Sequence, residues 1–150
     1  MGFFKNIMNK ITGHGAKVSV EVFEPNLDEP FQVKVTAIIS DADMKIDKVY
    51  LRIRSLESTT VRGVDVWEGD DHRFIDVNGQ EEIFGTEYVV TGATVLKANE
   101  TYEWTTEVQL PEGSLPSYYG RNAEHVWQFY AGLDTPGNDP DSGWVVYDVY

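Results

Sequence analysis

Along most of this chain apolar and polar residues alternate with a period of two, the mark of strands that bury one face. Val18, Val20 and Val22 alternate with Ser19 and Glu21. Phe31–Ser40 repeats the pattern, with Val33, Val35 and Ala37 on one face and Lys34 and Thr36 on the other. Ile46, Val49, Leu51 and Ile53 form a third apolar run, and from Val49 they alternate strictly with Tyr50, Arg52 and Arg54. The connections Glu24–Pro30 and Ser40–Asp43 are short and acidic, which argues for antiparallel neighbours.

The middle is less regular. Thr59–Trp67 is rich in β-branched residues and reads as a strand, followed by the polar turn Glu68-Gly69-Asp70-Asp71-His72. Phe74–Val77 reads as a short strand leading into Asn78-Gly79, a favoured hairpin turn. Glu82–Leu96 reads as one or two strands, bulged around Gly92. Thr101–Leu110 places Tyr102, Trp104, Thr106 and Val108 on one face. In the loop Leu110–Gly120, Pro111 and Pro116 remove amide donors, while Gly113 and Gly120 permit sharp reversals. Leu110, Leu115 and Tyr118 are too apolar for a solvated tip, so this loop is expected to lie back across the end of the core. The chain returns in a strand carrying Val126, Trp127, Phe129 and Tyr130, crosses the breaker-rich loop Pro136–Gly143, and closes with a strand over Trp144–Tyr150. Roughly eight or nine strands at this spacing predict an all-β fold, an antiparallel β-sandwich of immunoglobulin-like type.

One stretch has a different period. Phe3, Phe4, Ile7, Met8 and Ile11 recur at helical spacing, with Lys5, Asn6, Asn9 and Lys10 opposite, and Gly13 and Gly15 end the pattern. The expected organisation is an N-terminal amphipathic helix and hinge over residues 1–15, then a single sandwich over 16–150. Phe3, Phe4 and Ile7 are the helix's candidate partner-binding residues, packing on the domain itself or on a second copy in a homodimer.

Composition narrows the function. The 150 residues suit one domain with a sizeable core, and 41% hydrophobic with 13% aromatic content is enough to build it. The absence of cysteine excludes disulfides, thiolate metal sites and a cysteine nucleophile. A formal charge of −13 repels nucleic-acid phosphates and anionic lipid, so neither is expected as a partner, and it favours basic proteins. No apolar run approaches the ~20 residues needed to span a bilayer, and the interrupted N-terminus lacks a secretory signal, so a cytoplasmic location is expected.

Several blocks resemble the N-terminal domain of arrestin-fold proteins. They are Val108-Gln109-Leu110-Pro111, Leu115-Pro116-Ser117-Tyr118-Tyr119-Gly120-Arg121 and Leu133-Asp134-Thr135-Pro136. Glu24–Val33 resembles that family's turn into its next strand, with Asp28-Glu29-Pro30 in place of Pro-Gly-Glu, and Ile46–Leu51 resembles the strand after it. Met1-Gly2-Phe3-Phe4-Lys5 resembles the start of bacterial sporulation-control proteins, which are arrestin relatives. The resemblance implies an arrestin-like sandwich, in a single-domain version where the family normally carries two. The family's phosphate-sensing basic pairs near the first strand are missing, with only Lys17 nearby, so phosphoreceptor binding is not implied.

Candidate chemistry is sparse, and no cofactor, metal or catalytic residue is assigned. His14 sits among glycines, and His125 beside Val126-Trp127 reads as a satisfied sheet histidine. His72 lies among carboxylates that suit a hard cation, though an exposed acidic turn explains them as well. Asn138-Asp139-Pro140-Asp141 offers calcium-type ligands but also ordinary turn chemistry. Neither a nucleophile elbow nor a phosphate loop is present. The expectation is a non-catalytic protein-interaction or scaffold module, regulatory as in the sporulation-control relatives, working by strand addition at a sheet edge. Tyr118, Tyr119 and Arg121 are its candidate surface residues. The alternative is a carbohydrate- or calcium-binding sandwich of a secreted protein, with Trp67, Trp104, Trp127, Trp144 or the loop tyrosines as a stacking platform.

Overall fold

The computed structural model describes residues 15–150, so the expected helix, with Phe3, Phe4 and Ile7, lies outside the described residues. The strands are β1 (Ala16–Phe23), β2 (Phe31–Ile39), β3 (Met44–Ile46), β4 (Lys48–Glu68), β5 (Asp71–Thr91), β6 (Thr94–Leu96), β7 (Thr101–Val108), β8 (Tyr118–Tyr119), β9 (Ala123–Asp134) and β10 (Val145–Tyr147). One sheet has the order β1-β2-β7, and the other β10-β9-β4-β5, with β8 added beside β9. β3 and β6 make a separate two-stranded pair. All pairings are antiparallel.

The alternation read from the sequence builds the core. Val18, Val20, Val33, Val35 and Ala37 from the first sheet are fully buried, as are Val49, Leu51, Ile53, Phe129, Ala131 and Leu133 from the second. Phe31 meets Phe129 edge-on across the sheets, with ring centroids 6.2 Å apart. Phe129 in turn meets Tyr147 at 5.7 Å. Such offset and edge contacts are the favoured aromatic geometries.

The middle of the chain departs from expectation. The run from Val49 and the strand expected from Thr59 are one continuous strand, while Ile46 ends β3, and β4 and β5 run for 21 residues each. β4 is held by β9 only as far as Thr59, opposite Ala123. Beyond that point β4 and β5 continue alone as a two-stranded ribbon. Val61, Trp67, Phe74 and Val77 on it are all exposed.

The hairpin turn is at Gly69-Asp70, not Asn78-Gly79. Asn78 pairs with Thr60 and Gly79 with Thr59 inside the ladder. A turn at Asn78-Gly79 would leave Val64, Val66 and Trp67 without ladder partners; a turn at Gly69 aligns two β-rich runs end to end. Gly69 supplies the left-handed backbone that this reversal needs, with φ of 65°. The register shifts lie at Val49/Tyr50, Ser55/Leu56 and Val61/Val64 rather than at Gly92. At Gly92 the chain leaves the ladder, and β6 then pairs with β3. The closing strand is shorter than expected, because only Val145–Tyr147 pairs with β9.

The loop after β7 does lie back across the core end, but through its backbone more than its side chains. Leu110 is buried, whereas Leu115 is exposed despite its apolar side chain, and Tyr118, a candidate surface residue, is exposed as well. The indole Nε1–H of Trp127 donates to the carbonyl of Leu115 at 2.8 Å, and His125 Nδ1 is 2.9 Å from the carbonyl of Pro116. Ser117 is buried, its N–H donating to Val149 O at 2.7 Å while its hydroxyl accepts from Val149 N–H at 2.8 Å.

Candidate interaction surface

On one flank of the fold β5 ends one sheet and β7 ends the other. Opposite β4, the ladder groups of β5 have no strand partner among the described residues. On its inward face Phe84, Tyr88 and Val90 pack against the core but are only partly buried. Tyr102 and Trp104 of β7 are likewise partly buried. Their rings stack at 5.9 Å with planes 9° apart. In a closed sandwich such side chains would be covered. Here they stop at an unpaired edge, and burial still pushes the Tyr88 phenol above its ordinary pKa.

The solvent face of the β10-β9-β4-β5 sheet carries a lattice of cations and rings. The Arg54 guanidinium lies 3.9 Å over the Trp144 ring, and its Nε–H donates to Gln128 Oε1 at 2.7 Å. Arg52 lies 5.2 Å from the Tyr50 ring centroid and 5.8 Å from that of Tyr130. Lys48 Nζ and Arg52 Nε both reach Glu87, each at 3.0 Å. Hydrogen bonds from Lys48 and then Arg52 hold the Glu87 carboxyl below its usual range. The positive charges of Lys48 and Arg52 are answered by Glu87 and that of Arg54 by an aromatic face, so this lattice braces the sheet. It also ties Glu87 of β5 to Lys48 and Arg52 of β4.

A cavity of about 180 Å³ opens beneath the end loop, lined by Ser55, Ile83, Phe84, residues Pro111–Leu115, His125 and Trp127. Phe84 and Trp127 meet there at 5.7 Å. His125 is 6% exposed. Its Nδ1 faces a carbonyl, which can only accept, so that nitrogen carries the proton. Its Nε2 has no partner, alone among the buried side-chain polar atoms of the described residues. The satisfied sheet histidine read from the sequence is therefore satisfied on one side only.

The loop candidates come together on the outside of this end. Tyr118 and Tyr119 form β8 and are 59% and 52% exposed. The Tyr119 hydroxyl donates to Asp148 Oδ1 at 2.6 Å. Partial burial first, and that bond second, push its pKa up. Arg121 is exposed, and its carbonyl accepts from Arg62 Nη1 at 3.0 Å, which puts it at the foot of the ribbon. Tyr118, Tyr119 and Arg121 thus share one rim, away from the β5–β7 flank.

The acidic candidates are occupied by local bonds. Asp139 accepts the Tyr50 hydroxyl at 2.9 Å and the Thr135 N–H at 3.0 Å. Asp141 accepts the Gly143 N–H at 2.7 Å. At the ribbon tip Asp65 accepts from the Trp67 indole at 3.2 Å and is 2.9 Å from His72 Nδ1, while the Trp67 and His72 rings stack at 4.4 Å. Among the described residues no cluster of three or more His, Asp or Glu side chains is arranged to hold a metal ion. Of the tryptophans, Trp67 is exposed, Trp104 and Trp144 are half-buried and Trp127 is in the core, so they do not form one row.

The sequence reading missed the flank. Tyr88 and Val90 alternate with Glu87 and Val89 as in any ordinary strand. Nothing in that pattern says which strand ends a sheet.

The chain matches no known family model and no curated protein sequence. Among solved structures it is similar to the crystal structure of Spo0M, a sporulation control protein from Bacillus subtilis, with a TM-score of 0.62 at 17% sequence identity. The match covers 91% of this chain and 50% of that one, so this chain spans half the length of that protein. The arrestin-like fold implied by the Leu-Pro and Leu-Asp-Thr-Pro blocks is therefore shown. Among the described residues no helix is long and apolar enough to cross a membrane.

Proposed function

We propose that this domain is a non-catalytic, cytoplasmic protein-interaction module that accepts an extended segment of a basic partner along the free edge of β5. The observation that carries the reading is the unfinished flank. A 21-residue edge strand stands open beside half-buried Phe84, Tyr88, Tyr102 and Trp104. Edge strands are ordinarily blunted or covered, and one left open is a template for strand addition. An added strand would satisfy the outer ladder groups of β5 and cover those rings with its inward side chains.

Charge selects the partner. β5 carries Asp71, Asp76, Glu81, Glu82 and Glu87 against the single cation Arg73, within a chain of net charge −13. Of these, Glu87 is engaged by Lys48 and Arg52, while Glu81 and Glu82 have no cationic partner among the described residues. A basic strand gains attraction along this edge and an acidic one meets repulsion. The buried polar side chains fit a scaffold, since the Ser117 and Ser142 hydroxyls accept backbone N–H groups of Val149 and Ala131. The likeness to a sporulation control protein favours a regulatory setting.

The test is a fluorescence anisotropy titration with two labelled peptides, one alternating Lys with Val and one alternating Glu with Val. The Lys-Val peptide is expected to bind saturably and to weaken as salt is raised, with amide shifts in nitrogen-15 spectra clustered on β5. Equal binding of the Glu-Val peptide, or shifts centred on β1 or β8, would overturn the proposal.

A further inference from the structure

Residues 1–14 join the body of the domain at Gly15, and Gly15 stands at one end of the β5–β7 flank. Its carbonyl accepts from the Ser40 N–H at 2.8 Å, and the Ser40 carbonyl accepts from the N–H of Asn99 at 2.7 Å, just before β7 begins. A side chain at Gly15 would also run into the Met44 methyl. Met44 pairs with Leu96 of β6, and only Gly92 and Ala93 separate β6 from β5. The first 14 residues therefore enter where Tyr102 of β7 and Val90 of β5 open the flank. The opposite flank is already bridged: the Tyr147 hydroxyl of β10 reaches Val20 O of β1 at 3.4 Å, and the Leu27 N–H donates to Tyr150 O at 3.3 Å. We propose that residues 1–14 are the resident cover of the β5–β7 flank and that a partner strand must displace them. The inference rests on the strand-addition reading of β5 and adds its regulation.

Pattern, reach and charge point to the same place. Phe3, Phe4, Ile7, Met8 and Ile11 make one apolar stripe at helical spacing. The flank offers the matching surface in Tyr88, Val90, Tyr102 and Trp104, which pack on the core but are only partly buried. As a helix, 14 residues span about 21 Å. The stretch of β5 from Val90 back to Phe84 spans about 20 Å. The exposed rings of the ribbon are out of range, since Trp67 lies 18 residues beyond Val49 on β4, roughly 60 Å from this end. Residues 1–14 carry Lys5 and Lys10 and no carboxylate side chain, within a chain of net charge −13. On β5, Glu81 and Glu82 have no cationic partner among the described residues, so a basic segment is attracted to this flank. A helix laid there covers the rings but leaves the outer ladder groups of β5 without a strand. A partner strand supplies both, and this difference lets it displace the cover.

Nuclear Overhauser contacts in the full chain read the cover directly. The expected result is contacts from the Phe3 and Phe4 rings to the Trp104 indole and the Tyr102 ring, in a protein that light scattering shows to be a monomer. These contacts should vanish when the Lys-Val peptide saturates the protein. Contacts to any other surface would overturn the proposal. A dimer mass that Phe4→Ser/Ile7→Ser reduces to a monomer would overturn it too, because a second copy then takes the stripe, as would cosedimentation with phosphatidylcholine vesicles in place of the flank contacts. The same double variant, whose changes lie before β1, should bind the Lys-Val peptide about tenfold tighter than the parent, the gain expected where the parent's flank stands free about a tenth of the time. Unchanged affinity sinks the cover and leaves the edge site standing. Flank contacts with no peptide binding by parent or variant sink the edge site, and with it the claim that the cover regulates it.

Discussion

Replacing Ser117 with alanine removes one oxygen from the best-sealed hydrogen bond of the end loop. The hydroxyl accepts the N–H of Val149 at 2.8 Å, and Val149 is completely buried. Water cannot reach that N–H unless the C-terminal segment lifts away, so the donor is left unsatisfied rather than rehydrated. An orphaned buried backbone donor costs about 1–3 kcal/mol. Alanine fits the space without strain, so no overpacking adds to this. For a domain of this length each kcal/mol lowers Tm by roughly 2–4 °C. Ser117→Ala is therefore expected to melt about 2–12 °C below the parent in differential scanning calorimetry. Ser114→Ala is the control, since its hydroxyl donates to Pro111 O at 2.7 Å in an exposed turn, where water replaces it. That variant should stay within about 2 °C, as exposed hydrogen bonds contribute little net stability. A Ser117→Ala protein melting within about 1 °C of the parent would refute the claim that this bond ties the loop to the core.

Two further outcomes are expected. Glu87 has its carboxyl held below the ordinary value of 4.5 by Lys48 and Arg52. Its contribution is therefore fully present above the unfolded-state pKa and is lost as pH falls through the lowered folded-state value. Melting curves from neutral pH down to about pH 3 should fall less steeply for Glu87→Gln than for the parent below the ordinary glutamate range. Parallel curves would contradict the brace. Separately, joining Val61 to Val77 with an Asn-Gly turn deletes the ribbon beyond the β9 ladder, where Trp67 and Phe74 are 60% and 68% exposed. The shortened protein should keep its Tm within about 3 °C, because exposed side chains add little to stability; a large loss would mean that the ribbon packs on the body.

The core was legible because its strands alternate cleanly. Val18, Val20, Val33, Val35 and Leu51 announce their inward face in the sequence, and all are buried. The arrestin-like block was legible because its Leu110 and Leu133 are fixed by packing in the core. The ribbon was misread for a physical reason. Asn78-Gly79 has the local chemistry of a turn, but pairing of the runs on either side of Gly69 outweighs it. The flank was not legible at all, because strand alternation reports which face is buried and not which neighbour is absent. His125 was half legible. Its place in an apolar strand predicted burial, while the one-sided bonding depends on where the Pro116 carbonyl falls.

The account's central claim is that β5 is the edge that receives a partner strand, and amide hydrogen exchange on the full chain tests it most directly. With the Lys-Val peptide at saturation, amides of β5 from Gln80 to Thr91 should slow by tenfold or more. Those of β1, an outer strand of the opposite sheet, should be unchanged. Protection on β1 with none on β5 would contradict the claim.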